Sequence, residues 1–353
     1  MGPVLGFGPL RPCGSWDSGF GTWVLTALHQ HVRRTIRRYG LLPPGSRVLV
    51  GLSGGSDSVA LTHLLRDLSE HGAFTVVAAA HLNHGLRASA ARDEMFCREL
   101  TTRLRVPLIA ETAAVRDYAA AESLSIEDAA RRLRYGFLDR AAASVGATRI
   151  AVAHTQDDQA ETFLLKLMRG AGLTGLGSIH PQRGTVIRPL LDVTRDELQA
   201  YLRSKAEAWV EDETNQDLQN PRNRIRHRVL PELDQAAGGP TKPAISRAAA
   251  LIREDAQWLD ALSEQRFLTL ARQTDGCLEL DARGLAETPT PILRRVLLRA
   301  MRAAGGTREI GLEHVESVAA LLSAGQGGAD VPGTRVELRA GKLVLLQQRG
   351  ALR

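Results

Sequence analysis

The sequence predicts an α/β protein, a parallel sheet with helices on both faces, followed by a smaller, mostly helical domain ending in a β-hairpin. Three observations carry that expectation. Short apolar runs alternate with helix-period segments through the first two thirds of the chain. One of those runs passes directly into a Gly-Gly turn and then a helix. After Gln235–Pro243 the strand-like runs give way to long helical patterns, until a closing RVELRAGKLVLLQ reads as a hairpin turning at Ala340-Gly341.

Taken in order, Met1 to Gly21 is rich in Gly and Pro and reads as a disordered tail, possessing neither the charged start nor the apolar core of a signal peptide. Gly6 stands where a myristoylation motif wants Ser or Thr. A basic amphipathic helix is expected over Thr22–Tyr39, ended by Gly40 and Pro43-Pro44. Strands are then expected at Arg47–Leu52, Phe74–His81, Pro107–Glu111, Thr148–Ala153 and Val186–Leu190. Helices are expected between them at Ser58–His71, Ala88–Leu104, Ile126–Ser144, Gln156–Arg169 and Arg195–Ser204. The domain reading is a tail over 1–21, a catalytic domain over 22–234, a linker over 235–243 and a helical docking domain over 244–353. Helices in that last part are expected at Ala244–Ala271, Pro291–Ala304 and Leu312–Ser323.

Composition narrows the function classes. The chain has 353 residues, a net charge of +6 and a pI near 9.6, which favours an anionic partner, nucleic acid ahead of an acidic membrane. Cys13, Cys97 and Cys277 form no CxxC pair, so neither a disulfide framework nor a zinc ribbon is indicated, and a reducing cytoplasm fits. No apolar run approaches the length of a membrane span.

The chemistry concentrates at VLVGLSGGSDSVALTHLL, Val48 to Leu65. A strand, a Gly-Gly turn and a helix N-terminus converge backbone N–H groups and the positive end of the helix dipole on one point. Ser53, Gly54, Gly55, Ser56 and Ser58 are therefore candidate phosphate ligands, and Asp57 puts a carboxylate where a phosphate-bridging Mg²⁺ would sit. An ordinary strand-to-helix turn with Ser and Asp caps is the plainer reading of the same residues. No GxxxxGK[ST] loop occurs.

In open α/β folds ligands bind beyond the carboxyl ends of the strands. The second strand ends in HLNHGLR, where His81, Asn83, His84 and Arg87 crowd together as ligand-facing groups or as a polar loop. The fourth ends in AHTQDDQAETFLLKLMRGAG. Asp158 and Glu161, three apart, share a helix face and suit a cationic substrate, whereas Asp157 reads as a first-turn acid complementing the dipole. Arg131, Arg132 and Arg134 make either a solvated basic face or a guanidinium grip on phosphate. Further on, acidic Glu211, Asp212 and Glu213 precede Arg222, Arg224, Arg226 and Arg228. The twofold spacing of those arginines is no helical stripe and reads as an exposed basic turn tracking phosphates. Gly170-Ala171-Gly172-Leu173-Thr174-Gly175 matches GxGxxG, but it follows a helix rather than a strand and is expected to be a loop.

The hexamer SGGSDS resembles the PP-loop of the ATP pyrophosphatases, which implies an adenine nucleotide α-hydrolase-like fold and adenylation rather than γ-phosphoryl transfer. Together with HLNHGLR, ARRLRY, AHTQDDQAETFLLKLMRG, RPLL and RNRIRHRVLPEL, in this order from Arg47 to Leu233, the chain resembles the tRNA(Ile)-lysidine synthetases. The resemblance implies an ATP- and Mg²⁺-dependent ligase of the cytoplasm. It would join L-lysine to C2 of the wobble cytidine (position 34) in the CAU anticodon of an isoleucine tRNA, changing codon reading from AUG to AUA. By that resemblance Ser53 to Ser58 and His81 bind ATP, Asp57 places Mg²⁺, and Arg131 or Arg134 contacts the phosphates or the adenylate. Asp158 and Glu161 engage lysine, and Arg222, Arg224, Arg226 and Arg228 grip the tRNA. Longer members carry a further C-terminal domain that this chain is expected to lack, and the N-terminal tail departs from the pattern. Alternatives are another PP-loop tRNA enzyme such as a 2-thiolase, whose cysteine pairs are missing here, and a non-catalytic RNA-binding module with a relic nucleotide site.

Overall fold

The computed structural model describes residues 26–85, 90–211, 217–274, 276–305 and 310–347. The predicted tail over 1–21, the first residues of the expected Thr22 helix, Cys13, Arg87, Asp212 and Glu213 lie outside them.

The first described helix, α1 (Ala27–Arg38), is capped by the Thr26 hydroxyl and buries Val32 and Ile36. Strand β1 (Arg47–Gly51) follows, with Val48, Leu49 and Val50 all fully buried. A strand covered on both faces needs this continuous apolar run rather than alternation. It leads into α2 (Ser56–Ser69), then β2 (Thr75–Asn83), α3 (Ala90–Leu104), β3 (Leu108–Thr112), α4 (Val115–Ala121), α5 (Ile126–Ser144), β4 (Arg149–Ala151) and α6 (Gln156–Met168). After α7 (Leu173–Leu176) come two short strands, β5 (Gln182–Arg183) and β6 (Val186–Ile187), and then α8 (Arg195–Ser204).

The sheet runs β3-β2-β1-β4-β6-β5, parallel except for the edge pair β5–β6. One face is filled from α1, α2, α3 and α8 (Val32, Leu61, Leu100 and Leu198), and the other from α4 and α5 (Val115, Phe137 and Leu138). Chain order reverses between β1 and β4, so the loops leaving those two neighbours flank the switch point where such folds bind ligands. β1 delivers the SGGSDS loop and β4 delivers the start of α6.

Asp67 ties three helices together on the first face. Its carboxylate accepts from His29 Nε2 (3.2 Å), Lys205 Nζ (3.0 Å) and the Tyr201 hydroxyl (3.4 Å). Burial alone would raise its pKa, but the hydrogen bonds from His29 and Lys205 bring it down to about 2. A carboxyl whose folded pKa is depressed stabilises the protein above its unfolded pKa, near 3.9, and loses that contribution as pH falls through the folded value. Roughly 2 kcal/mol should therefore disappear between about pH 4 and pH 2. The comparison is acid unfolding of Asp67→Asn, whose stability should change less over that interval than the parent's. Parallel curves would refute the assignment.

Beyond α8, α9 (Pro221–Arg224) continues into a π-helical turn at Ile225–Val229 and then α10 (Leu230–Ala237). The expected exposed turn at Arg222–Arg228 is thus helical. Pro231 lacks an N–H for the carbonyl four residues back, and the widened π turn absorbs that break. The Gln235–Pro243 stretch is a tight joint: α10 stops at Gly238 with φ 68°, and the Thr241 amide and hydroxyl bond Asp234 (2.7 and 2.6 Å).

Helix α11 (Lys242–Leu270) serves two bodies. Its first half lies on helices of the parallel-sheet body, where buried Arg253 donates to the carbonyls of Gly177 and Ile179 (3.2 Å each). Its last turn belongs to a second core with β7 (Ala271–Thr274), β8 (Cys277–Asp281), α12 (Ala282–Ala286), α13 (Thr290–Gly305), α14 (Leu312–Ala324), β9 (Gly327–Val331), β10 (Thr334–Arg339) and β11 (Lys342–Gln347). The hairpin turns at Ala340-Gly341, φ 48° and 72°, as primed hairpin turns require. It is extended by three strands that the sequence reading leaves unassigned, into an antiparallel sheet of order β7-β8-β11-β10-β9. Among the described residues no helix is long and apolar enough to cross a membrane.

Candidate active site

The SGGSDS loop is held from within. Ser58 Oγ donates to the Gly55 carbonyl (2.9 Å) and accepts from the Ser53 amide (3.1 Å), with Ser53 Oγ 3.0 Å away. The Ser58 hydroxyl is buried and shapes the turn. Gly54 has φ +91°, and a Cβ there would stand 3.3 Å from Val210, whose amide donates to the Gly54 carbonyl (2.9 Å). Among the described residues the amides of Gly55, Ser56 and Asp57 donate to nothing, which leaves a set of N–H groups at the N-terminus of α2. The Ser56 hydroxyl donates to Asp57 Oδ1 (3.1 Å).

Opposite, the Thr155 cap fixes the first turn of α6. Asp158 Oδ2 accepts from the Thr155 amide (2.8 Å) and hydroxyl (3.0 Å) in a capping box, so only Oδ1 faces the site. One turn on, Glu161 is fully buried. Arg222 Nε lies 2.7 Å from Glu161 Oε2 and its Nη2 3.3 Å from Asp158 Oδ1, while Arg226 Nε lies 2.7 Å from Glu161 Oε1. Four residues apart on this helical segment, Arg222 and Arg226 lie on one side, so that two guanidinium groups close on one carboxylate. Arg195, the first residue of α8, bridges the halves: it reaches Asp57 Oδ2 (3.0 Å), Asp158 Oδ1 (3.5 Å) and Glu161 Oε1 (4.0 Å). Asp157 accepts from the Arg195 amide (2.8 Å) and from Lys242 Nζ at the head of α11 (2.6 Å). It is more than a dipole complement.

Electrostatics follow from this crowding. Burial pushes the Asp57 carboxyl up, and Arg195 offsets only part of that. Burial also works against the charge of Asp158, but Arg222, His154 and Arg195 hold its pKa below the ordinary value. His154, between β4 and α6, is pushed down by burial to about 4 and is neutral at pH 7. Arg188 Nε donates to its Nδ1 (3.2 Å), and a guanidinium can only donate, so the proton sits on Nε2. Nitrogen-15 NMR of labelled protein should show the Nε2–H tautomer unchanged from pH 7 to about pH 5. A histidine titrating near 6.5 would overturn this.

A family model of the PP-loop domain matches residues 26–233. A tRNA(Ile)-lysidine synthase of Symbiobacterium thermophilum is 36% identical over 330 residues, covering 89% of this chain and 68% of that protein. The chain belongs to the tRNA(Ile)-lysidine synthase family. Another member, from Geobacter sulfurreducens, is 38% identical over 303 residues that cover 84% of this chain, and this chain spans 63% of that protein's length. Among solved structures, the U34-tRNA thiolase NcsA of Methanococcus maripaludis superposes with a TM-score of 0.53 at 18% identity, over 64% of this chain and 78% of that one. That likeness is one of fold.

The other predicted residues of this family member divide clearly. His81 is buried and its Nδ1 bonds the Leu52 carbonyl (2.9 Å), which fastens the strand end below the loop. Asn83 accepts from the Gly85 amide (3.0 Å) and closes a turn, and His84 follows β2 half-buried. On α5, Arg131 lies over the Tyr135 ring (5.2 Å), and Arg134, itself exposed, is one of the charges that lower the His154 pKa. Arg132 is exposed. Arg222 and Arg226 turn inward onto the carboxylates rather than outward, while Arg224 bonds the Leu218 and Gln219 carbonyls (3.0 and 2.8 Å) and Arg228 is exposed. Arg195, Arg188 and Lys242 have no place among the predicted site residues. Arg188 stands in the RPLL motif, which was the one available signal. Cys97 is fully buried with its thiol pushed up to about 12, and Cys277 lies in the distal sheet.

Proposed function

We propose that the chain is an ATP-dependent tRNA(Ile)-lysidine synthetase. It adenylates O2 of the wobble cytidine of a CAU-anticodon isoleucine tRNA with release of pyrophosphate, and L-lysine's ε-amine then displaces AMP at C2. The observation that carries this reading is Arg195: one guanidinium spans from Asp57 in the amide-lined loop to Asp158 and Glu161. A nucleotide phosphate on the loop and an amine on the carboxylates would therefore be neighbours, and holding reactants together is the main task of a reaction without a protein nucleophile.

The Gly55, Ser56 and Asp57 amides and the Ser53 and Ser56 hydroxyls would take ATP phosphates, with Arg134 near the adenylate. Asp57 is the single carboxylate that Mg²⁺ commonly takes beside phosphate oxygens, and that donor set fits the ion, which would neutralise phosphate charge there. Asp158 Oδ1 and Glu161 would receive the amino groups of lysine. These oxygens already hold guanidinium groups, so an ammonium enters by exchange with one of them and the charge balance is kept. Arg224 and Arg228, on the exposed side, would contact the tRNA backbone.

The deciding experiment incubates the protein with Mg-ATP, radiolabelled lysine and a CAU-anticodon isoleucine tRNA transcript. Stable label in the tRNA with AMP and pyrophosphate release is the expected result. ATP cleavage to AMP without lysine transfer would discard the lysine assignment. Tight tRNA binding without any ATP chemistry would favour a binding module.

A further inference from the structure

The residues that follow α8 lie against the SGGSDS loop. The chain leaves that helix through Ala206, whose φ is +50°, and the Glu207 amide returns to the Leu202 carbonyl (3.0 Å). The Glu207 carboxylate, 11% exposed, is fixed between two other helices. His63 Nε2 of α2 lies 3.1 Å from one oxygen and Arg103 Nη2 of α3 lies 2.6 Å from the other. Burial lowers the pKa of His63, so at pH 7 the imidazole is a neutral donor and Arg103 supplies the charge. Trp209 then packs on the core of that face, and Val210 reaches the loop with its amide 2.9 Å from the Gly54 carbonyl. Among the described residues this is the only backbone hydrogen bond from residues 53–55 to any segment other than α2. A planar trans peptide carries its C=O and its N–H on opposite sides. Fixing the Gly54 carbonyl therefore fixes the Gly55 N–H as well, which must point away from Val210, and it is the first of the three free amides at the head of α2. With glycine on both sides, that peptide unit meets little steric resistance to turning over. Its orientation depends on the bond.

We propose that Glu207 and Val210 are positioning residues for the phosphate loop. Glu207 anchors the strap formed by residues 207–210, and the Val210 amide holds the Gly54–Gly55 peptide in the orientation that presents the Gly55 N–H to a phosphate. The inference rests on the nucleotide-binding reading of the loop above. Neither residue is asked to touch a substrate. A preorganised donor costs no reorientation when the charge arrives, so the strap acts on the affinity for ATP. The carboxylates of α6 are held by other partners, and the strap leaves them as they are.

The test replaces the Val210 N–H by an ester oxygen, incorporating the α-hydroxy analogue of valine at position 210 of the full chain. The side chain stays and only the donor goes. Titration calorimetry with Mg-ATP gives the nucleotide affinity, and lysidine formation on the CAU-anticodon transcript gives the KM for lysine. ATP should bind about tenfold more weakly or worse, the usual worth of a hydrogen bond to a charged group, with the KM for lysine unchanged. Glu207→Ala should show the same split. Glu207→Gln, which keeps an acceptor for Arg103, should recover most of the parent's ATP affinity. An ester protein that binds ATP as the parent does would overturn the inference and leave the function standing. A loss shared equally by ATP and lysine would also overturn it, since a merely structural joint would act on both. Should the ester protein fail to fold, the two Glu207 variants decide by the same criteria. A parent protein that binds no ATP would take down the nucleotide reading, and the inference with it.

Discussion

Replacing Glu161 with alanine should cost on the order of 3 kcal/mol of stability, because it strips a fully buried carboxylate from guanidinium groups folded around it. Arg222 and Arg226 retain some contact with water, their side chains being 34% and 20% exposed, so the loss falls at the lower end for a broken buried pair. For a domain of this size the melting temperature should fall by roughly 5–10 °C. Glu161→Gln, which keeps volume and one acceptor oxygen, should lose less. In that variant pyrophosphate release should persist while the KM for lysine rises, since the loop is untouched and the proposed amine site is weakened. Adding Arg222→Met and Arg226→Met to Glu161→Ala should restore part of the stability and none of the lysine transfer, because the two guanidinium charges that Glu161 balances go with the carboxylate. A Glu161→Ala protein that melts within a degree of the parent would show that the cluster does not hold this part of the fold together.

The parts of the molecule written in short-range pattern were readable from the sequence. The buried run Val48–Val50, the turn Gly54-Gly55 and the start of α2 lie within a dozen residues, and each is dictated by its neighbours. The 126–144 and 195–204 helices appear at the expected bounds because Ser125 and Thr194 cap them. What failed to show depends on distant partners. Strand β9 is Gly-Gly-Ala-Asp-Val, a poor strand former that exists because β10 pairs with it, and β7 is a mostly exposed edge. The twofold spacing of Arg222 to Arg228 hides two interleaved i, i+4 pairs: Arg222 and Arg226 face the carboxylates while Arg224 and Arg228 are exposed, and only the buried Glu161 reveals which pair turns inward. Arg195 reads as an unremarkable first-turn residue of an amphipathic helix. Only the packing of α8 on α2 aims it at Asp57. Lys242 likewise acquires its role from where α11 lands, beside Asp157.

Asp57→Asn should separate stability from function in the opposite sense to Glu161. The Asp57 carboxyl is raised above its ordinary pKa, chiefly by burial. A carboxyl with a raised folded pKa favours the native state below its unfolded pKa, and that contribution is lost as pH rises through the folded value, so at pH 7 its charge opposes folding. The asparagine variant should therefore be as stable as the parent at pH 7 or slightly more so, while Arg195 keeps Asp158 and Glu161 as partners. Urea unfolding at pH 4 and pH 7 should show a smaller difference between the two pH values for the variant than for the parent. Tested as above, pyrophosphate release should nonetheless fall by about a hundredfold or more, the usual loss when a group that stabilises phosphate charge is removed from a closed site. A buried charge kept at a cost to folding is what the proposed role of Asp57 at the phosphates would require in thermodynamic terms. An asparagine variant that unfolds more easily yet cleaves ATP at the parent's rate would make Asp57 a structural counter-ion of Arg195 and move the metal and phosphate assignments elsewhere in the loop.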